Sequence, residues 1–302
     1  MSGPPRAVRW IVRKGDGGTV GEIAARAAPK DPLALPDGRV FIGRIRAKDG
    51  KETVREGDVI DVFRPRPASA EALRVLHHAD DIVVVSKPAA LATVPDHHGS
   101  AGTLVDEIAR VLSLPVARIR VVSRLDVGVS GVVAFALTEA AERRLAEART
   151  RGEYRRAYVA IAGGNLPAPR GIIDAPIGRH ADPKKRAIPG LDPRPARTAY
   201  EVRGVAKAST LVDLFPETGR THQLRLHLAH AGAPLLGDRL YGGVTRVTDE
   251  GAVHPLVRIA LHARLIEVKG VVPAIEEAAP PLFHTLWKAL GGDASVWGKQ
   301  GP

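Results

Sequence analysis

A carboxylate set in a short polar loop between two apolar runs is the first feature of this sequence with chemistry in it. Residues 121–137 read VVSRLDVGVSGVVAFAL. Val121-Val122 and the run 132–137 have the composition of buried strands, and Ser123, Arg124, Asp126, Gly128, Ser130 and Gly131 lie between them. Functional groups concentrate in loops that a rigid scaffold presents, which makes Asp126 the candidate reactive carboxylate. An isolated R-x-D also suits a capped turn or a local ion pair between Arg124 and Asp126.

Two further stretches carry usable groups. Residues 217–228 read ETGRTHQLRLHL, where Gly219 permits a tight turn into a helix. Within that helix His222 and Arg225 stand i, i+3 and share a face, while Leu224 and Leu228 form an i, i+4 pair that can bury against a sheet. His222, His227 and His230 raise a metal site, but 222 and 227 are five apart rather than four and no carboxylate flanks them. Residues 155–162 (RRAYVAIA) read as a strand carrying Tyr158, with Arg156 on the same face. A strand tyrosine alone is ordinarily core packing.

Those residues need elements to hold them. Residues 20–28 have helical spacing, and 39–45 and 54–63 alternate as short strands around the turn Lys48-Asp49-Gly50-Lys51. The Arg64-Pro65-Arg66-Pro67 segment cannot continue a strand, so a domain boundary is expected there, between a module at 1–66 and a larger domain at 71–290. The second domain opens with a strand at 82–85 that ends at Lys87-Pro88, where Lys87 either steadies the turn near a polyanion or covers the strand end. Helices follow at 103–112, capped by Thr103, and at 138–150, capped by Thr138. Several strands span 172–216, broken by the basic loop 180–195 with Lys184, Lys185, Arg186 and Arg194, which suits phosphate contact or plain solvation. Residues 272–290 hold a proline-broken strand and a short helix with Trp287, and the tail 291–302 is expected to be disordered.

Composition narrows the classes. The chain has 302 residues with 44% hydrophobic content, enough for a sizeable core and two domains. Lys and Arg number 44 against 33 Asp and Glu, a formal net charge of +11 that favours a polyanionic partner such as nucleic acid, or an arginine-rich proteome. There is no cysteine, which excludes disulfides, Cys-zinc sites and thiol nucleophiles. No signal-length or membrane-spanning apolar run is present, so a cytoplasmic protein that does not engage membrane is expected.

Ser123-Arg124-Leu125-Asp126-Val127-Gly128-Val129-Ser130-Gly131 resembles the central motif of the RluA-type pseudouridine synthases, approximately H-R-L-D-x-x-T-S-G. The family's His and Thr are Ser123 and Val129 here. Asp80-Asp81 through Lys87-Pro88 resembles the family's first motif, with Ala90 where the family has Gly. Arg156-x-Tyr158 stands where the family has K-x-Y, 158 − 126 = 32 residues after the aspartate, and residues 218–227 match T-G-R-x-H-Q-[IL]-R-x-H nearly in full. Gly237-Asp238-x-x-Tyr241-Gly242 and Leu261-His262-Ala263 are further family-like pieces that would hold the domain together, with Asp238 and Tyr241 bonding backbone or the Arg225 helix. Residues 55–62 (REGDVIDV) resemble the closing strand of the RNA-binding module named after ribosomal small-subunit protein four, although the upstream half matches poorly.

The resemblance implies an α+β protein: a catalytic domain with a mainly antiparallel mixed sheet flanked by helices, and a small amino-terminal α/β RNA-binding module. It implies isomerisation of uridine to pseudouridine without cofactor or metal, a reaction with no redox step or group donor, which agrees with the lack of any Gly-rich dinucleotide or phosphate loop. Asp126 would be the catalytic carboxylate, Arg225 its charge partner and Tyr158 the group near the base that helps remove the C5 proton. Arg124, Arg220, His222 and Lys87 would contact RNA. The expected partner is RNA, ribosomal more than transfer, and the expected state a monomer. The rival reading is a catalytically inactive RNA-binding protein on the same fold, prompted by Ser123 and Val129, and a metal hydrolase using the histidines is a distant third.

Overall fold

In the computed structural model Thr19 caps the first helix, its hydroxyl accepting from the Glu22 amide while the Glu22 carboxylate accepts from the Thr19 amide. The structure describes residues 7–16, 18–31, 34–35, 40–43, 45–47, 49–63, 73–95, 102–249 and 252–298. The 64–70 segment, Arg39, Arg44 and Lys48 lie outside them. The chain divides into two units, Met1–Arg74 with Leu91–Ile119, and Val75–Ala90 with Arg120–Pro302.

In the first unit, strands β1 (Ala7–Ile11), β2 (Val40–Ile42), β3 (Ile45–Arg46) and β4 (Val59–Phe63) form an antiparallel sheet in the order β1-β4-β2-β3. Helix α1 (Val20–Ala27) buries Val20 and Ile23 in a core with Val40, Ile60 and Val62. The last strand starts at Val59 rather than at 54, because Arg55 to Asp58 close a turn: the Asp58 carboxylate accepts from the Arg55 amide at 2.7 Å and Gly57 has φ +91°. Helix α2 (Leu104–Val111) has the expected Thr103 cap, with Asp106 accepting from the Thr103 amide at 2.8 Å.

The second unit is built on a ten-stranded sheet. Its strands are β5 (Arg74–Ala79), β6 (Ile82–Lys87), β7 (Arg120–Val121), β8 (Ser130–Ala136), β9 (Tyr154–Gly163), β10 (Arg170–Asp174), β14 (Arg197–Ala206), β15 (Ser209–Pro216), β18 (Leu261–Val268) and β19 (Val272–Glu276). Three short strands, β11 (Ile177–Arg179), β12 (Arg186–Ala187) and β13 (Leu191–Arg194), make a separate small sheet from the basic segment, and β16 (Arg246–Asp249) pairs with β17 (Ala252–Pro255). Helices α3 (Glu139–Thr150), α4 (Gln223–His230) and α5 (Pro281–Ala289) complete the α+β arrangement. The sheet is mainly antiparallel, as expected, and the β8–β18 pairing is parallel.

That one parallel pairing positions the site. Tyr158 on β9 lies opposite Ala263 on β18, and Ala263 lies opposite Gly131 on β8, five residues after Asp126. The tyrosine and the aspartate loop are therefore delivered to one region by three adjacent strands. Gly131 has φ +114°, and a Cβ there would collide with the Ala263 carbonyl oxygen and amide nitrogen, so only glycine permits this approach.

The tail departs from expectation over its described part, 291–298, and 299–302 lie outside the described residues. Residues 294–297 form a 3-10 turn capped by Asp293, Val296 is buried, and Trp287 Nε1 donates to the Asp293 carbonyl at 3.0 Å. Apolar Val296 and Trp297 anchor this segment to the α5 core, which outweighs the entropy gained by fraying.

Candidate active site

The loop after β7 is closed by main chain: the Val129 amide donates to the Asp126 carbonyl at 3.0 Å, and the Ala90 amide donates to the Val127 carbonyl at 2.7 Å. Val129 is buried and has no side-chain hydrogen bond to offer, so the backbone carries the turn. Ser123 Oγ is 3.4 Å from the Tyr154 hydroxyl. Ala90 holds φ +64°, a left-handed conformation costing a non-glycine residue roughly 1 kcal/mol.

Asp126 meets Arg225 across 99 residues of sequence, with Arg225 Nη1 donating to Asp126 Oδ2 at 2.8 Å. The guanidinium turns its other edge to Asp238 in a bidentate pair, Nε to Oδ2 at 2.7 Å and Nη2 to Oδ1 at 2.8 Å. Asp238 is itself held by the Leu240 amide at 3.0 Å. Burial works against the Arg225 charge, but the hydrogen bonds and charges of Asp238 and Asp126 outweigh it and raise its pKa above the ordinary arginine value. The Asp126 side chain is 29% exposed, against 9% for Arg225 and 1% for Asp238. Among the described residues nothing donates to Asp126 Oδ1, so the carboxylate is fixed by one oxygen and presents the other.

His222 is the N-cap of α4, not a residue inside it, and has φ +59°. Gly219 is not the left-handed residue of the turn; His222 is. The turn is instead secured by buried Gln223, whose Oε1 accepts from the Thr218 hydroxyl at 2.8 Å and the Arg220 amide at 2.9 Å, and whose Nε2 donates to the Arg197 carbonyl and Thr198 Oγ1, both at 3.0 Å. His222 Nε2 lies 3.8 Å from Asp126 Oδ2, and Nδ1 lies 2.7 Å from the Tyr241 hydroxyl. Burial lowers the His222 pKa, with Arg225 and Arg186 adding to the shift and Asp126 and Asp238 opposing it. His227 is fully buried and its ring nitrogens face Thr198 Oγ1 at 2.9 Å and the Ala175 carbonyl at 3.1 Å, so it braces the helix against β14. Leu224 and Leu228 are buried as their spacing requires.

Tyr158 is buried, and its hydroxyl pKa is raised, chiefly by burial and further by Tyr154 and Asp126, against the lowering effect of Arg156. It is a neutral phenol at physiological pH. Arg156 also donates to the Thr218 carbonyl at 2.9 Å and the Pro216 carbonyl at 3.3 Å, and so ties β9 to the turn before α4. Arg124 is exposed, and Arg220 Nε is engaged with the Pro195 carbonyl at 3.0 Å.

Lys87 is a correction. It is completely buried, donating to the Pro88 carbonyl at 3.0 Å, and is not offered to an RNA surface. Burial, then nearby Arg258, bring its pKa down to about 7 against the pull of Asp126. Arg258, which sequence reasoning did not single out, donates to Ser130 Oγ at 2.8 Å and the Leu261 carbonyl at 3.0 Å, and Ser130 Oγ is 2.8 Å from His262 Nδ1. These groups lock the strand ends beneath the aspartate loop. Nothing in the local sequence around Arg258 distinguishes it from a surface arginine.

The description RNA pseudouridylate synthase fits a family model matching residues 81–230. A "Ribosomal large subunit pseudouridine synthase D" of Xanthomonas campestris is 37% identical over 277 residues, 87% of this chain and 82% of that protein. The chain belongs to the RNA pseudouridylate synthase family. It is an isomerase that converts uridine to pseudouridine in RNA. A protein of the same printed name from Escherichia coli O157:H7 is 33% identical, with 80% of this chain and 78% of that one covered. Among solved structures, "Human RNA Pseudouridylate Synthase Domain Containing 1" is 26% identical with a TM-score of 0.56, covering 76% of this chain and 98% of that one. "Human RNA Pseudouridylate Synthase Domain Containing 4", at 23% identity and TM-score 0.58, shares the fold over 72% of this chain and 92% of that one. In this synthase no helix among the described residues is long and apolar enough to cross a membrane.

Proposed function

We propose that this enzyme isomerises uridine in large-subunit ribosomal RNA, with Asp126 as the reacting carboxylate. The observation that carries the assignment is the one-sided grip on Asp126: Arg225 holds Oδ2 while Oδ1 stays open and the side chain remains partly exposed. A carboxylate so held is oriented, yet free to attack C1′ or C6 of the nucleotide or to remove a C2′ proton. Tyr158, a neutral phenol delivered by β9, relays the C5 proton after the base has turned: its oxygen takes that proton as its own hydrogen passes to the nearby Asp126 carboxylate. The target uridine must leave its stack to reach these groups, and exposed Arg124, Arg220 at the turn and His222 above Asp126 frame its entry.

Ribosomal RNA as substrate is supported by the printed names of the relatives and by the amino-terminal unit, read as an RNA-binding module at 1–66. The same reading places the enzyme in the cytoplasm as a monomer working without cofactor. Mapping pseudouridines in total RNA from cells with and without this protein tests it. Loss of a site in large-subunit RNA is expected, and loss confined to transfer RNA would overturn the substrate assignment.

A further inference from the structure

We infer that Tyr241 is a positioning residue for Asp126: its hydroxyl, held by the main chain of the basic segment, fixes the His222 ring so that the Nε2–H points at the Asp126 carboxylate. The inference rests on the reading of Asp126 as the reacting group and adds a device that sets it.

Three contacts form a line. The Arg186 amide, at the start of β12, donates to the Tyr241 hydroxyl oxygen at 2.9 Å. That hydroxyl lies 2.7 Å from His222 Nδ1, and His222 Nε2 lies 3.8 Å from Asp126 Oδ2. A phenol oxygen that accepts from a fixed amide keeps its own hydrogen for another acceptor, and Nδ1 is the group at hydrogen-bond distance. Donation from the phenol to Nδ1 leaves that nitrogen unprotonated and places the ring hydrogen on Nε2, facing the carboxylate. Burial, which disfavours the imidazolium, agrees with this neutral form. The ring has little freedom to turn away. Its backbone is left-handed at the N-cap, and the Tyr241 ring meets it edge-on with centroids 5.6 Å apart. The Arg225 guanidinium lies 5.1 Å from the Tyr241 ring centroid, so Tyr241 touches both residues that flank the Asp126 carboxylate.

The charged groups acting on His222 are Asp126, Asp238, Arg225 and Arg186. Removing the Tyr241 hydroxyl leaves all four and takes away the donor that favours an unprotonated Nδ1, together with the acceptor of the Arg186 amide. Imidazolium would then form more readily and compete for the carboxylate charge.

The test combines three measurements on the full-length enzyme. In the wild type, nitrogen chemical shifts of labelled histidine, assigned to residue 222 by difference with His222→Gln, should report a neutral ring protonated at Nε2. A ring protonated at Nδ1 would overturn the inference without any variant having to fold. Tyr241→Phe should slow single-turnover conversion about 10-fold, move the acid limb of the rate upward in pH, and leave RNA affinity unchanged. Weakened RNA affinity at an unchanged rate would instead assign Tyr241 to anchoring the basic segment, and the inference would fall. In a His222→Gln background Tyr241→Phe should slow the reaction no further, whereas full additivity would show that Tyr241 does not work through His222. Failure of the Asp126 reading is separable: an active Asp126→Asn enzyme removes the reacting group's assignment, while the histidine tautomer is measured independently of turnover.

Discussion

Asp126 and Asp213 both sit against arginine in the same sheet-based unit, and the proportions are reversed. Asp213 on β15 accepts from two arginines, Arg203 Nε at 2.7 Å and Arg264 Nε at 3.1 Å, and its side chain is 3% exposed. Both of its oxygens are occupied. At Asp126 one arginine is divided between two carboxylates, and Asp238 takes the bidentate share. Two cations on one buried anion leave no capacity for chemistry. One cation divided between a buried anion and a partly exposed one orients the latter and leaves it a lone oxygen to spend. The difference separates a carboxylate that stabilises the sheet from one suited to react, and one sheet positions both.

The comparison breaks first at Arg225. Arg225→Met leaves Asp238 buried without its counter-ion and Asp126 without its anchor, so a stability loss of about 3–5 kcal/mol is expected together with loss of turnover. Chemical denaturation and a single-turnover assay read the two effects. Asp213→Asn should cost stability and spare the rate of the folded fraction. Arg124→Met, on an exposed side chain, should shift the melting temperature least. Equal small shifts for Arg225→Met and Arg124→Met would contradict the shared-arginine account.

Tyr158→Phe comes next. The ring's packing is kept and about 1 kcal/mol of stability is at stake, whereas loss of the hydroxyl should stall the final deprotonation. Release of tritium from 5-tritiated uridine RNA should fall well below wild type, and normal release would return Tyr158 to a packing role.

The smallest effect concerns a group that only holds the fold. Burial, then Arg258, bring the His262 pKa down to about 4 from an unfolded value of 6.5. Between those values the unfolded chain binds a proton that the folded chain refuses. Stability therefore falls as pH drops through this window. His262→Gln should flatten the dependence of unfolding free energy on pH between about 4 and 6.5 while leaving the neutral-pH rate near wild type. An unchanged slope would mean that His262 does not carry this linkage.

Much of this arrangement was legible because local chemistry and periodicity agree with it. Thr103 and Thr138 mark helix starts, and the apolar runs at 82–85 and 132–137 became fully buried strands. The Asp126–Arg225 pairing spans 99 positions and followed from the motif resemblance, since no local spacing encodes it. What escaped was tertiary. The left-handed bend at the start of α4 falls on His222 because Gln223 ties the turn's backbone, a constraint that Gly219 conceals. Lys87 is buried where lysine is normally solvated, since the end of β6 lies beside Gly131 in the interior of the sheet. Asp238 and Tyr241 were placed near the Arg225 helix, but their division, one holding Arg225 and the other His222, depends on a loop path that composition does not specify.

The central claim is that Asp126 reacts through its open oxygen. Asp126→Asn keeps the side chain's shape and removes its charge, so single-turnover conversion of uridine on substrate RNA should vanish while the RNA dissociation constant stays within a few-fold of wild type. Conversion above ~1% of the wild-type rate by the purified variant would contradict it.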